Sequence, residues 1–140
     1  MKYHFKLHKE KGGYWAECLE LKECYTQSTT INELKENMEE ALNVYLDEPS
    51  HSKTIFPLPD KKLKGKNIFE VSVDLKIAFG LQLRQLRLKN KLTQKQVAKK
   101  LGFKNLYSYQ RLESGANPEL TTLAQIKKVF REIDIEEISN

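Results

Sequence analysis

The chain has 140 residues and a mass of 16.4 kDa, with 39% hydrophobic residues, 31% charged residues and a net charge of +5. This is a globular composition, which excludes the low-complexity and disordered classes. No apolar run approaches the ~20 residues needed to span a bilayer. The opening MKYHFKLHKE alternates polar and apolar residues where a signal peptide is continuously apolar, so no membrane partner and a cytoplasmic location are expected.

The charge is unevenly distributed. Residues 1–75 hold eleven Lys, no Arg and thirteen acids, net −2, whereas residues 76–140 hold nine Lys, four Arg and six acids, net +7. Such asymmetry predicts two modules, 1–75 and 76–140, with the second facing an anion. Cys18 and Cys24 match neither a disulfide framework nor a zinc motif, and two reduced strand cysteines are expected.

In the first module, Tyr3, Phe5 and Leu7 alternate with Lys2, His4, Lys6 and His8, the period of a half-buried strand. Gly12-Gly13 marks a hairpin turn, Tyr14 to Leu19 a second strand and Cys24 to Gln27 a third. Thr30 with Glu33 three residues on forms a capping box. Leu34, Met38, Ala41, Leu42 and Tyr45 then make one helical stripe. Residues 49–67, with Pro49, Pro57 and Pro59, read as a long loop with one short extended piece at 54–56, and Ile68 to Val73 as a last strand. The order β-β-β-α-β describes a small sheet with one helix packed on it. His4 and His8 on the polar strand face are expected to be solvated. Glu33, Glu36, Glu39 and Glu40 occupy the polar side of the helix. No metalloprotease, phosphate-loop or nucleophile-elbow motif occurs, and the first strand has no acid before Glu10 to hold a metal. The module is therefore expected to be non-catalytic, with no metal and no cofactor.

The second module is helical. Phe79, Leu83 and Leu86 form one stripe, and Leu81 and Leu88 another on a different face. Thr93 caps a helix over 94–101 with Val97, Ala98 and Leu101 inward, and Gly102 ends it. A third helix over Asn105 to Glu113 presents Leu106, Tyr109 and Leu112 inward and Lys104, Tyr107, Ser108 and Arg111 on another face. Thr121 or Thr122 starts a fourth, with Leu123, Ile126, Val129 and Phe130. Two short helices around a Gly-containing turn in a basic bundle describe a helix-turn-helix.

The text LRQLRLKNKLTQKQVAKKLG, followed by YQRLESGANPELTTLAQI, resembles the Cro/repressor (Xre) helix-turn-helix family over about residues 79–131. The resemblance implies that Arg87 and Glu113 pair structurally beneath a DNA-binding surface. It implies that Gln94 and Lys95 at the start of the second helix contact phosphate. Tyr107, Ser108 and Arg111 should enter the major groove, flanked by Lys104, Asn105 and Gln110.

The first module, through GGYWAECLELKECYTQSTTINELKENMEEALNVYLDE, resembles the N-terminal domain of HicB antitoxins. The matching residues are Gly13-Tyr14, Cys24, Thr30, Glu36-Asn37 and Glu40-Ala41-Leu42. The implied fold is α+β, a partial ribonuclease H-like domain without its active site followed by an all-α helix-turn-helix domain of four to five helices. The implied function is that of a non-enzymatic type II antitoxin and autorepressor. Its partners are a small basic HicA-like mRNA-cleaving toxin, masked by the first module, and double-stranded operator DNA, bound as a homodimer or higher oligomer. Expected toxin contacts are Tyr14, Trp15 and Glu17, with Glu36 and Glu40 on the acidic helix face. The alternative is a plain transcriptional regulator whose first module binds a small ligand or serves dimerisation.

Overall fold

The period-two alternation at the N-terminus folds as β1 (Lys2–Glu10), followed by β2 (Gly13–Cys18) and β3 (Tyr25–Ser28). Helix α1 (Ile31–Leu46) and strand β4 (Ile68–Ser72) complete the first of two compact units. These come from a computed structural model that describes residues 1–139. The first unit comprises Met1–Asp47 and Phe56–Asp74, and the second Glu48–Ile55 and Leu75–Ser139. Among the described residues, no helix is long and apolar enough to cross a membrane.

The sheet has the order β3-β2-β1-β4 and every pairing is antiparallel. A direct strand-helix-strand crossover brings its second strand in parallel. Here residues 47–67, which form no helix or strand, carry the chain on so that β4 runs antiparallel to β1, with Tyr3 opposite Val71. Tyr3, Phe5, Ala16, Cys18 and Val71 are buried on one sheet face. Onto that face α1 lays Leu34, Met38, Leu42 and Leu46, each four residues on and each buried. Thr30 Oγ1 caps α1 by accepting from the Glu33 N–H at 3.2 Å. The expected capping box closes indirectly: the Thr30 N–H donates to Ser28 Oγ (3.3 Å), whose hydroxyl donates to the Glu33 carboxylate (2.9 Å). Cys18 and Cys24 are free and buried, and the Cys18 thiol donates to Glu20 Oε2 at 3.5 Å.

The expectation that His4 is solvated is wrong. His4 is 4% exposed, because the chain after β2 folds over its face of the sheet and presents Glu20. Glu20 Oε1 lies 2.6 Å from His4 Nδ1, and Glu20 Oε2 accepts from the His4 N–H at 3.0 Å. A buried ring nitrogen needs such a partner, and this one comes from a loop that no local pattern announces. His8 is half-buried and stacks on Trp15, with ring centroids 4.0 Å apart and an interplanar angle of 15°.

The second unit holds five helices: α2 (Leu75–Lys89), α3 (Gln94–Lys100), α4 (Leu106–Glu113), α5 (Leu120–Val129) and α6 (Ile135–Ser139). Helix α2 is its centre, with α4 and α6 packed against it. This explains the two stripes: Phe79, Leu83 and Leu81 are all buried, with Leu86 and Leu88 half-buried. Arg84 is buried too, at 2% exposure, and its Nη2 donates to the Thr54 carbonyl at 3.3 Å. Burial lowers the Arg84 pKa, opposed by the nearby charges of Glu48 and Glu113. Leu106, expected inward, is 39% exposed because it is the first helical residue after the Asn105 cap and lies at the rim. Helix α5 starts at Leu120, ahead of the two threonines, with no side-chain cap.

Candidate nucleic-acid interface

Helices α3 and α4 are held at their turn by local chemistry. Thr93 Oγ1 accepts from the Gln96 N–H (3.1 Å) while Gln96 Oε1 accepts from the Thr93 N–H (2.8 Å), a complete capping box. At the other end Gly102 has φ +77°, a left-handed conformation that a side chain resists. Its N–H bonds the Lys99 carbonyl (3.1 Å) and the Phe103 N–H bonds that of Ala98 (3.0 Å), the paired closure of a Schellman motif. Asn105 Oδ1 then caps α4, accepting from the Ser108 N–H and hydroxyl, each at 2.9 Å.

Beneath this surface lies a buried carboxylate. Glu113 Oε1 accepts from Arg87 Nε and from the Tyr109 hydroxyl, both at 2.5 Å. Glu113 Oε2 accepts from Arg87 Nη2 (3.2 Å) and Gln94 Nε2 (2.9 Å). Arg87 Nη1 also donates to the Leu92 carbonyl at 3.1 Å. Burial works against the Arg87 charge, but the hydrogen bond and charge of Glu113 outweigh it, and its pKa rises above the ordinary value. Burial, reinforced by the Glu113 charge, pushes the Tyr109 hydroxyl pKa well up, so it stays a donor. The network ties α2, α3 and α4 into one frame. Gly80 lets two of them approach: a Cβ there would stand 2.3 Å from the Glu113 carbonyl oxygen.

The residues expected to meet DNA divide into two groups. Lys95, Lys104, Asn105, Tyr107 and Arg111 are exposed. Tyr107 and Arg111 stand one turn apart on α4, with the Arg111 guanidinium carbon 6.0 Å from the Tyr107 ring centroid. The others are engaged internally. Gln94 is half-buried; besides Glu113 it donates to the Ser50 carbonyl (2.7 Å) and accepts from Gln110 Nε2 (3.1 Å). Gln110 and Ser108 are also half-buried, and Ser108 is committed to Asn105. The reading from sequence missed Tyr109 as a network donor and the carbonyls of Ser50 and Thr54 as acceptors. No signal marked them: a buried tyrosine reads as core, and a loop carbonyl has no side-chain signature. The surface is strongly positive, since residues 76–112 contain no acid.

In the first unit, the five expected partner contacts do not form one patch. Trp15 and Glu17 lie on the sheet face away from α1, Tyr14 on the face toward it, and Glu36 and Glu40 are exposed on α1 itself. Among the described residues, no group of three or more His, Cys, Asp or Glu is placed to hold a metal ion.

Residues 83–138 match the helix-turn-helix family. They form a Cro/repressor-type domain, which is the DNA-binding domain of a transcriptional regulator. No curated protein sequence matches the chain.

Proposed function

We propose that the chain is the antitoxin of a type II toxin-antitoxin pair and the repressor of its own operon. The helix-turn-helix domain binds operator DNA as a homodimer in the cytoplasm. The N-terminal unit binds a small basic HicA-like mRNA-cleaving toxin and masks its catalytic surface. The observation that carries this reading is the joining, in one chain, of a helix-turn-helix domain to a separate sheet-and-helix unit of opposite net charge, −2 against +7. A negative surface steers a basic protein, and a positive one steers DNA. The element order and the strand order β3-β2-β1-β4 support a partial ribonuclease H-like classification, from which the antiparallel direction of β4 is a departure.

On the DNA side, Tyr107 and Arg111 read base edges, Arg111 by a bidentate bond to guanine and Tyr107 against a thymine methyl or a phosphate. Lys95 and Lys104 neutralise phosphates, with Asn105 and Ser108 flanking. Gln94 and Gln110, already bonded to each other, brace α3 against α4.

The test is a tagged pull-down from the native host, with mass spectrometry of what co-elutes. A stoichiometric small basic protein that arrests growth when expressed alone, and is neutralised by this chain, supports the antitoxin reading. Recovery of DNA alone overturns it in favour of a plain regulator.

A further inference from the structure

The sheet face away from α1 carries two aromatic rings, Trp15, half-buried against His8, and Tyr25. Tyr25, the first residue of β3 at one edge of the sheet, is 67% exposed. Trp15 lies on the neighbouring strand, diagonal to it: Trp15 pairs with Gln27, and Tyr25 with Glu17. The His8 ring stacked on Trp15 fixes the indole in place.

Both rings line two cavities, one on each side. The first, of about 500 Å³, is completed by Glu10, Thr26 and Gln27. The second, of about 540 Å³, includes Glu17 and Glu23, with Lys22 as its one cation. Glu20 also borders it but is committed to His4. Lys6 stands opposite Glu17 on β1, and Glu17 Oε2 is 3.4 Å from His8 Nε2. Carboxylates therefore outnumber cations around a pair of rings.

We infer that this face receives an arginine side chain presented by a basic protein partner, with Trp15 and Tyr25 as its walls and Glu10, Glu17 and Glu23 as its charge. A guanidinium is flat, weakly hydrated and forked. It stacks on an aromatic face while donating to a carboxylate, which an ammonium does less well. A nucleic-acid base also stacks on aromatic rings, but such platforms lie in positive grooves. The site places the toxin's docking surface on the sheet and away from the acidic helix. For the partner's identity alone, it rests on the antitoxin reading above.

Trp15 is the chain's single tryptophan, so intrinsic fluorescence of the full-length protein reports on this face. The probes are hexa-arginine, hexa-lysine and a single-stranded oligothymidine. Hexa-arginine is expected to change the Trp15 emission and to bind roughly threefold to tenfold more tightly than hexa-lysine. Tyr25→Ala and Glu17→Gln should each weaken it by a similar factor, while Tyr25→Phe and the pair Glu36→Gln with Glu40→Gln leave it unchanged. Equal binding of the two peptides, undisturbed by Tyr25→Ala, overturns the site. So does loss confined to the α1 variants, or an oligothymidine response abolished by Tyr25→Ala. The two readings fail separately. A toxic partner that binds the Tyr25→Ala protein undiminished overturns this docking site and leaves the antitoxin standing. Hexa-arginine binding at Trp15 in a protein with no toxic partner supports the site and overturns the antitoxin.

Discussion

Glu113 shows how a single residue can hold the DNA-binding frame without touching DNA. Its side chain has no exposed surface and receives four hydrogen bonds, from Arg87 twice, Tyr109 and Gln94. Glu113→Gln keeps the shape but removes the charge, leaving the Arg87 guanidinium buried without its counter-ion. Losing one partner of a buried pair costs ~3–5 kcal/mol. The second unit should accordingly melt well below its wild-type temperature in calorimetry, whereas an unshifted melt would show the pair to be dispensable. Arg111 is the opposite case. It is exposed and contributes to no buried network, so Arg111→Ala should leave the melt unchanged. The same substitution should weaken operator binding by ~1–3 kcal/mol, the worth of one bidentate base contact. A gel-shift titration with wild-type affinity would remove Arg111 from the readout surface. The residue types at 87 and 113 were legible in the sequence because an Arg and a Glu at those spacings fit a known motif. The Tyr109 and Gln94 contributions were not, since nothing local distinguishes a tyrosine whose hydroxyl reaches a carboxylate from one that merely fills space.

Between elements, the contact most exposed to test is the crossing of α2 and α4. Glycine inside a helix normally costs about 1 kcal/mol relative to alanine, so Gly→Ala there is usually stabilising. At Gly80 the sign should reverse, because the new Cβ would lie 2.3 Å from the Glu113 carbonyl oxygen, which is backbone and cannot rotate away. Gly80→Ala should destabilise the unit by ~1–3 kcal/mol and also weaken DNA binding by displacing α4. An alanine variant more stable than wild type would show that the helices part without cost. Periodicity made most elements readable: alternation gave β1, and the four-residue recurrence of Leu34, Met38 and Leu42 gave α1. It was silent where a distant segment decides the outcome. His4 is buried by Glu20, sixteen residues away; β4 is turned antiparallel by the long 47–67 segment; and the short α6 packs on α2. The two stripes on α2 carried the information that this helix is covered on more than one side, but not what covers it.

For the molecule as a whole, the charge split makes operator binding electrostatic. If roughly six phosphates are neutralised on binding, log affinity against log salt should fall with a slope of about −5. A flat dependence would exclude phosphate contacts. The chain's connectivity leads to a less obvious expectation. Residues 48–55, which connect α1 to the rest of the first unit, are grouped with the helices of the second. Their carbonyls serve two side chains there: Thr54 accepts from Arg84 and Ser50 from Gln94. Among the described residues Arg84 Nε has no hydrogen-bond partner, so Thr54 is a large share of what that guanidinium has. A helical fragment cut at residue 76 lacks both acceptors. Each lost hydrogen bond to a charged or buried donor costs ~1–3 kcal/mol, and Gln94 loses one of the contacts that brace α3 against α4. The fragment 76–140 should therefore show faster amide hydrogen exchange in α2 and α3 than the same helices in the full chain, and weaker operator binding. Equal protection in the two would mean that residues 48–55 only bridge α1 and β4. Faster exchange confined to α2 and α3 would make them a working part of the DNA-binding unit.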